Sequence, residues 1–285
     1  MKIKKLFNKF FEKEKVIISL TTIPTRLVSD YGYDMKFCIK SLLEQNNKDY
    51  EIHLNIPFVY KKTGEDYVIP NWLTEMVKEN PKLKIFRTED YGTITKLLPT
   101  ITRIENPNTI IIVVDDDLVY HHELVNEHIK NQQKWQNNPV GYDGMRSRNE
   151  NGTFSSFFND IRDYYYSANY RDSIVDILQH YKSISYKRKY FDDDFFDFIT
   201  EMSSWNDDLV VSSYFAKKKI NRICTYYHLD KDCKTKEEWE SQLTHSFPII
   251  RHTEHRSDEG CNIERQKNEN NNENIMYNII DNSYR

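Results

Sequence analysis

The sequence predicts an α/β fold with a mostly parallel central sheet flanked by helices, on three observations. Strand-sized apolar runs, Val16–Leu20, Glu51–Ile56, Leu83–Phe86 and Thr109–Val114, alternate with helically spaced segments, Met35–Leu43, Trp72–Val77 and Ile94–Ile104. Strand, helix, strand in repetition makes βαβ units, which set parallel strands side by side and cover both faces. The run Ile110–Val114 has no polar interruption, the mark of a strand buried on both faces. Asn71, Thr93 and Pro99 supply helix start or interruption signals at the expected places.

Regularity falters after Gly141. Phe154–Tyr170 is dense in aromatics without a clean period and reads as an insertion or loop. Regular signals return in Ile174–Tyr181 and in Asp207–Lys219, a helix followed by the strand-like Ile220–Tyr227. From Lys231 onward polar residues dominate, and Asn268–Asn274 is low-complexity. The expected organisation is one domain over residues 16–265, a leading segment 1–15 and a polar tail 266–285.

Within residues 1–15, Ile3, Leu6, Phe7, Phe10 and Phe11 share one helical face, and six Lys against two Glu give +4. Such a helix suits peripheral contact of residues 1–14 with an anionic membrane surface, and it equally suits docking on the domain. No apolar run nears the roughly 20 residues of a membrane span, and no signal-peptide core follows the basic start. The expected compartment is cytoplasmic, with peripheral membrane contact as the variant. Cys38, Cys224, Cys233 and Cys261 are scattered without metal-ligand spacing and read as reduced thiols. A formal net charge of −4 gives no electrostatic footprint for nucleic acid.

Chemistry concentrates in acidic motifs. Asp115, Asp116 and Asp117 follow the Ile110–Val114 run, and so emerge at the carboxyl end of a strand, where parallel sheets bind ligands. In an extended segment alternate residues share a face, so Asp115 and Asp117 are expected to converge on one ligand with Asp116 turned away. Two hard oxygen donors suit Mg²⁺ or Mn²⁺; the competing reading is a solvated turn capping a helix that begins near His121. A second triplet, Asp192–Asp194, stands between aromatic residues and reads as a solvated helix start.

Four segments in order, SLTTIPTR (19–26), DYGTITKLLP (90–99), VVDDDLVY (113–120) and WNDDLVVSSYFAKKKI (205–220), resemble nucleotide-sugar glycosyltransferases of the Rossmann-like GT-A fold. Within that group they are similar to small bacterial and viral enzymes with a DDD form of the DxD motif. The resemblance spans roughly residues 16–225. It implies a sugar moved from a nucleotide-sugar donor, UDP-linked, to a hydroxyl of a glycan or lipid-linked acceptor in polysaccharide synthesis, with Mn²⁺ or Mg²⁺ as cofactor. By the same resemblance Asp117 holds the metal, and Asp115 the metal or the donor ribose, with Asp116 beside them. Thr21, Pro24 and Arg26 cradle the nucleotide, and Lys96 serves a phosphate. Asp208 is the general base, with Asp207 as its capping neighbour. In several GT-A enzymes a late histidine completes the metal shell, for which His245, His252 and His255 are candidates and His245 is taken as the ligand.

One stretch departs from that pattern. Relatives carry Val-Asp-x-x-Glu-Gly and further glycines where this chain has Val175-Asp176 followed by Gln179, His180, Lys182 and Ser183. Asp176 keeps its place as a candidate for a sugar hydroxyl. Lost glycines imply a differently shaped pocket, and they support a rival reading as a catalytically silent carbohydrate-binding protein. A nucleotidyltransferase, the other rival, calls for a glycine-rich loop after the first strand, where Thr21–Arg26 has no glycine.

Overall fold

The computed structural model describes residues 14–28, 32–145, 172–202, 206–225, 249–252, 275–276 and 278–280. The chain opens with β1 (Val16–Thr21), α1 (Pro24–Val28), α2 (Gly32–Leu43), β2 (Glu51–Pro57), α3 (Asn71–Glu79) and β3 (Leu83–Thr88). A 3₁₀ turn at Gly92–Lys96 and α4 (Leu98–Arg103) then lead into β4 (Ile110–Val113). After it come β5 (Leu118–Tyr120), α5 (Leu124–Lys134), β6 (Val140–Gly141) and β7 (Gly144–Met145). The second half adds β8 (Ser173–Val175), β9 (Ile177–Leu178), a 3₁₀ turn at His180–Lys182, β10 (Ile184–Lys187), α6 (Phe195–Met202), α7 (Asp207–Lys217), β11 (Arg222–Cys224) and β12 (Ile249–His252).

Eight strands form the central sheet in the order β8-β11-β6-β10-β4-β1-β2-β3. β1, β2, β3 and β4 are mutually parallel, as the βαβ reading expects. β10 inserts antiparallel between β4 and β6, and β8 pairs antiparallel at the edge. The result is a mixed α/β fold whose sheet is mostly parallel. β1 is followed outward by β2 and β3 on one side, while β4 lies on its other side. The strand order therefore reverses between β1 and β4, which opens a crevice at their carboxyl ends.

Alternation along the strands builds two cores. Ile110, Ile112 and Val114 join Val16, Ile18, Leu20, Ile52 and Leu54 under Met35, Ile39 and Leu42 of α2. Ile111 and Val113 face the other way, onto Leu209, Val210 and Tyr214 of α7. Each fully buried Ile or Val contributes roughly 1.5–3 kcal/mol, so the site's floor is set by fully buried strands of the sheet. Much of the aromatic content goes to the same end: Tyr186, Tyr190, Phe191, Phe195, Phe198, Tyr214 and Phe215 are buried together.

Several expectations need correction. The helix expected over Ile94–Ile104 is split, because Gly92 takes φ 69°, the left-handed region that glycine favours, and opens a 3₁₀ turn before α4. The helix expected near His121 starts at Leu124, since Leu118–Tyr120 first forms β5 and pairs with β12. Ile220–Tyr227 shortens to a three-residue strand among the described residues. The polar tail is not uniformly polar in its packing: Met276 and Ile280, at i and i+4, are fully buried in the core that carries α7. Their apolar spacing outweighs the polar surroundings of Asn268–Asn274. Residues 1–13 and the aromatic segment 154–170 lie outside the described residues.

Candidate active site

The reversal between β1 and β4 brings the motifs together. α1 follows β1 and starts at Pro24, whose fixed φ suits a first helical position. From α1, the guanidinium of Arg26 donates through Nη1 to Oδ1 of Asp116 and through Nη2 to Oδ2 of Asp117, the latter at 3.1 Å. Burial of Arg26 lowers its pKa less than Asp116 and Asp117 raise it, so it stays charged. Thr21 spends its hydroxyl on the Asn55 carbonyl oxygen at 2.8 Å, tying β1 to β2 beneath the crevice.

The triplet lies beyond the strand. β4 ends at Val113, and Asp116 and Asp117 lie in a bend before β5. Asp116 is only 4% exposed and shares Arg26 with Asp117. Its Oδ2 is buried without a hydrogen-bond partner. Asp115 and Asp117 are the open carboxylates, with side chains 29% and 18% exposed. The Asp115 backbone is pinned by the Tyr120 hydroxyl, which accepts its N–H at 2.9 Å and donates to the Tyr181 carbonyl oxygen at 3.1 Å.

Lys96 joins this donor side to α7. It is a buried lysine at the end of the Gly92–Lys96 turn, and its Nζ lies 2.6 Å from Asp115 Oδ1 and 2.9 Å from Asp207 Oδ2. Burial works against its charge, but Asp115 and Asp207 outweigh burial and push its pKa up. The backbone beneath is fixed by a buried polar network. Ser19 donates to the Lys96 carbonyl oxygen at 2.5 Å and meets the Thr100 hydroxyl at 2.6 Å, and Asn55 donates to both hydroxyls.

At the head of α7 the expected cap is displaced by one residue. Asn206 caps the helix by accepting the Leu209 N–H at 3.1 Å, because an amide side chain there reaches the third turn residue. Asp207, relieved of capping, points into the cluster and meets both Lys96 and His180, the latter with Nδ1 at 2.9 Å. Burial alone would raise its pKa; Lys96 and His180 overcome that and hold it well below the usual carboxylate range. Asp208 moves the other way, raised by burial and by Asp207. It therefore releases its proton at higher pH than an ordinary carboxylate. His180 is lowered by burial but raised further by Asp207 and Asp208, to about 9. Its pairing thus stabilises the fold fully below its free value of 6.5 and loses that contribution as pH rises through about 9.

Ser19 and Tyr120 stand inside the quoted motifs without an assigned role, and His180, Asn55 and Thr100 lie outside them. The only signal was a histidine standing where relatives carry glycine. Ser183, in the same stretch, adopts φ 71°, a glycine-like conformation that costs a serine about 1–3 kcal/mol. Asp176 lies in the bend between β8 and β9, half-buried. His245 and His255 lie outside the described residues. The backbone of His252 pairs with Leu118, the residue after the triplet, so the late segment runs beside the site. The second triplet is elsewhere: Asp192 and Asp194 sit at the start of α6, largely exposed and paired with Lys218 at 2.8 and 2.9 Å.

The open carboxylates of the triplet have the donor chemistry a divalent cation takes. Two open carboxylates with hard oxygens are the ligands Mg²⁺ and Mn²⁺ prefer. Five carboxyl groups, Asp115, Asp116, Asp117, Asp207 and Asp208, outnumber the three basic side chains they pair with, Arg26, Lys96 and His180.

No family model and no curated protein matches the chain. Solved structures give distant likenesses. The crystal structure of S. aureus TarS 1–349 aligns with a TM-score of 0.42 at 12% identity, covering 71% of this chain and 56% of that one. A second S. aureus TarS structure gives 0.33 at 12% identity, covering 51% and 23%. TarS 1–349 in complex with UDP-GlcNAc gives 0.33 at 14%, covering 52% and 39%. The chain spans little more than half of the first of these. At such scores function rests on the side chains of the site. Among the described residues no helix is long and apolar enough to cross a membrane.

Proposed function

We propose that this chain is a metal-dependent glycosyltransferase that moves a sugar from a nucleotide-sugar donor, UDP-linked, to an acceptor hydroxyl of a glycan or lipid-linked saccharide. The observation that carries the reading is the Lys96 bridge, which binds Asp115 on the strand-end triplet to Asp207 at the head of α7. Through it the donor motif and the acidic pair form one cluster at the crevice between β1 and β4.

Each residue has work to do in such a transfer. Arg26 and Lys96, held charged by their carboxylate partners beside the crevice, are suited to meet a diphosphate. Asp115 and Asp117 would hold Mn²⁺ or Mg²⁺, which when bound stabilises the charge that develops on the leaving diphosphate. Asp208, the more exposed of the acidic pair at 26% against 10% for Asp207, is open to an acceptor hydroxyl. As the new bond forms between the acceptor oxygen and the anomeric carbon, the bond to the diphosphate breaks with its electron pair. The acceptor proton passes to Asp208. The raised pKa of Asp208 places this base closer to neutrality, and its activity falls as acid protonates it.

A panel of nucleotide-sugars incubated with Mn²⁺, with and without chelator, tests the reaction class. The expected result is chelator-sensitive nucleotide release from one donor. Pyrophosphate release from a nucleoside triphosphate and a sugar phosphate would instead assign a nucleotidyltransferase, and sugar binding without turnover a silent lectin-like protein. Peripheral membrane contact through residues 1–14 belongs to the same proposal. Deleting them is expected to abolish flotation with anionic liposomes; undiminished flotation would dismiss that contact.

A further inference from the structure

The residue that departs most from the resembled pattern also makes the closest contacts to the acidic pair. His180 opens the His180–Lys182 turn and is 1% exposed. Its backbone N–H donates to Oδ1 of Asp208 at 2.8 Å, and its ring Nδ1 lies 2.7 Å from the same oxygen. On the other side of the ring, Nε2 lies 2.9 Å from the Tyr186 hydroxyl. Ser183 closes the turn by donating its N–H to the His180 carbonyl oxygen at 2.7 Å, and its φ of 71° reverses the chain into β10, which carries Tyr186 back beneath the ring.

From these contacts we propose that His180 is a positioning residue: it saturates Oδ1 of Asp208 with two donors and so presents Oδ2 to the acceptor hydroxyl. The inference rests on the reading of Asp208 as the base. A carboxylate on the first turn of a helix has rotational freedom about its side-chain torsions. Two donors from one rigid residue on one oxygen remove it. The groups facing the ring are Asp207 and Asp208 from α7 and Tyr186 from β10, with Lys96 acting through Asp207.

His180 keeps its proton throughout. The acceptor proton goes to Oδ2, while Nδ1–H stays on Oδ1, and the Tyr186 end of the chain is buried and offers no exit. The stretch where relatives carry glycines is thus filled by a side chain that fixes the base, not by one that merely narrows the pocket.

Two readouts on the full chain test this. In the first, ¹⁵N-histidine NMR titration, with the signal assigned through His180→Asn, is expected to show an imidazole that keeps its proton to about pH 9 in the wild type. In Asp208→Asn that titration should move down, with Asp207 holding part of the rise; an unmoved titration would overturn the pairing. The second readout is transfer. His180→Phe should lower kcat about 10²-fold with donor KM unchanged, and shift the acid limb of kcat to higher pH. His180→Asn, which retains a short donor toward Oδ1, should recover part of the rate. Wild-type kcat in His180→Phe, or equal losses in both variants with donor KM rising in parallel, would refute the positioning role. Should His180→Phe not fold, Tyr186→Phe loosens the ring with little change of volume, and a wild-type kcat and acid limb there would count against the proposal. A wild type that transfers from no donor would sink the glycosyltransferase reading, while the NMR arm would still decide the pairing.

Discussion

Replacing Asp208 by Asn lowers transfer by about 10²- to 10⁴-fold while donor affinity stays within about twofold of wild type. The amide is nearly isosteric, and its oxygen can still accept both the backbone N–H and the Nδ1–H of His180, so the head of α7 keeps its shape. What is lost is an oxygen able to take the acceptor proton. On the donor side Arg26 pairs with Asp116 and Asp117, and Lys96 pairs with Asp115 and Asp207, while Asp208 acts on Lys96 through its charge, so those pairs are left in place. Steady-state kinetics paired with calorimetric titration of the donor separates the two effects. Full turnover in Asp208→Asn would remove Asp208 from the base role.

Lys96→Met has the second large effect, on stability as well as rate. The ammonium neutralises Asp207, whose side chain is 10% exposed, and Asp115, which is 29% exposed. Removing one partner of a buried pair leaves an uncompensated charge, which costs about 3–5 kcal/mol. Most of that cost falls on Asp207, because solvent screens the more open Asp115. Thermal unfolding should therefore drop by about 10 °C for a chain of this size. The double variant Lys96→Met with Asp207→Asn should regain much of the loss, since it removes both members of the pair. Additive losses in the double variant would show that Lys96 and Asp207 do not depend on each other. Because Asp207 is held below the usual carboxylate range, its stabilising contribution is present at neutral pH and is lost only in strong acid.

The parallel half of the fold was legible because its signals are local and repeated. Val16–Thr21, Glu51–Pro57, Leu83–Thr88 and Ile110–Val113 are strands wherever apolar runs met turn signals, and their succession implies the crevice. The second half was not, because its strands are short and borrow their stability from neighbours. Val140–Gly141, Ser173–Val175 and Arg222–Cys224 hold two or three residues each, too few for a periodicity to show. In the site, Arg26, Lys96, the triplet and the acidic pair were visible as motifs. The partnership among them was not, since Lys96 and Asp207 lie far apart in sequence and meet only through folding. His180 was hidden for a further reason. It stands where glycines are expected, while the glycine-like backbone is kept at Ser183, with φ 71°.

The strand ends before the triplet, so a bend and not strand pleating leaves Asp115 and Asp117 open and Asp116 buried. Val113 is the last paired residue, and the bend at Asp116–Asp117 sends Asp116 inward to Arg26. It leaves Asp115 and Asp117, the two proposed metal ligands, as the open carboxylates of the triplet. Calorimetric titration of UDP with Mn²⁺ against the wild type, Asp117→Ala and Asp193→Ala tests the central claim most directly. The expected result is metal-dependent binding that Asp117→Ala removes and Asp193→Ala, in the exposed second triplet, leaves unchanged. Binding by Asp117→Ala equal to that of the wild type, or equally lost in Asp193→Ala, would contradict a nucleotide site built on the strand-end triplet.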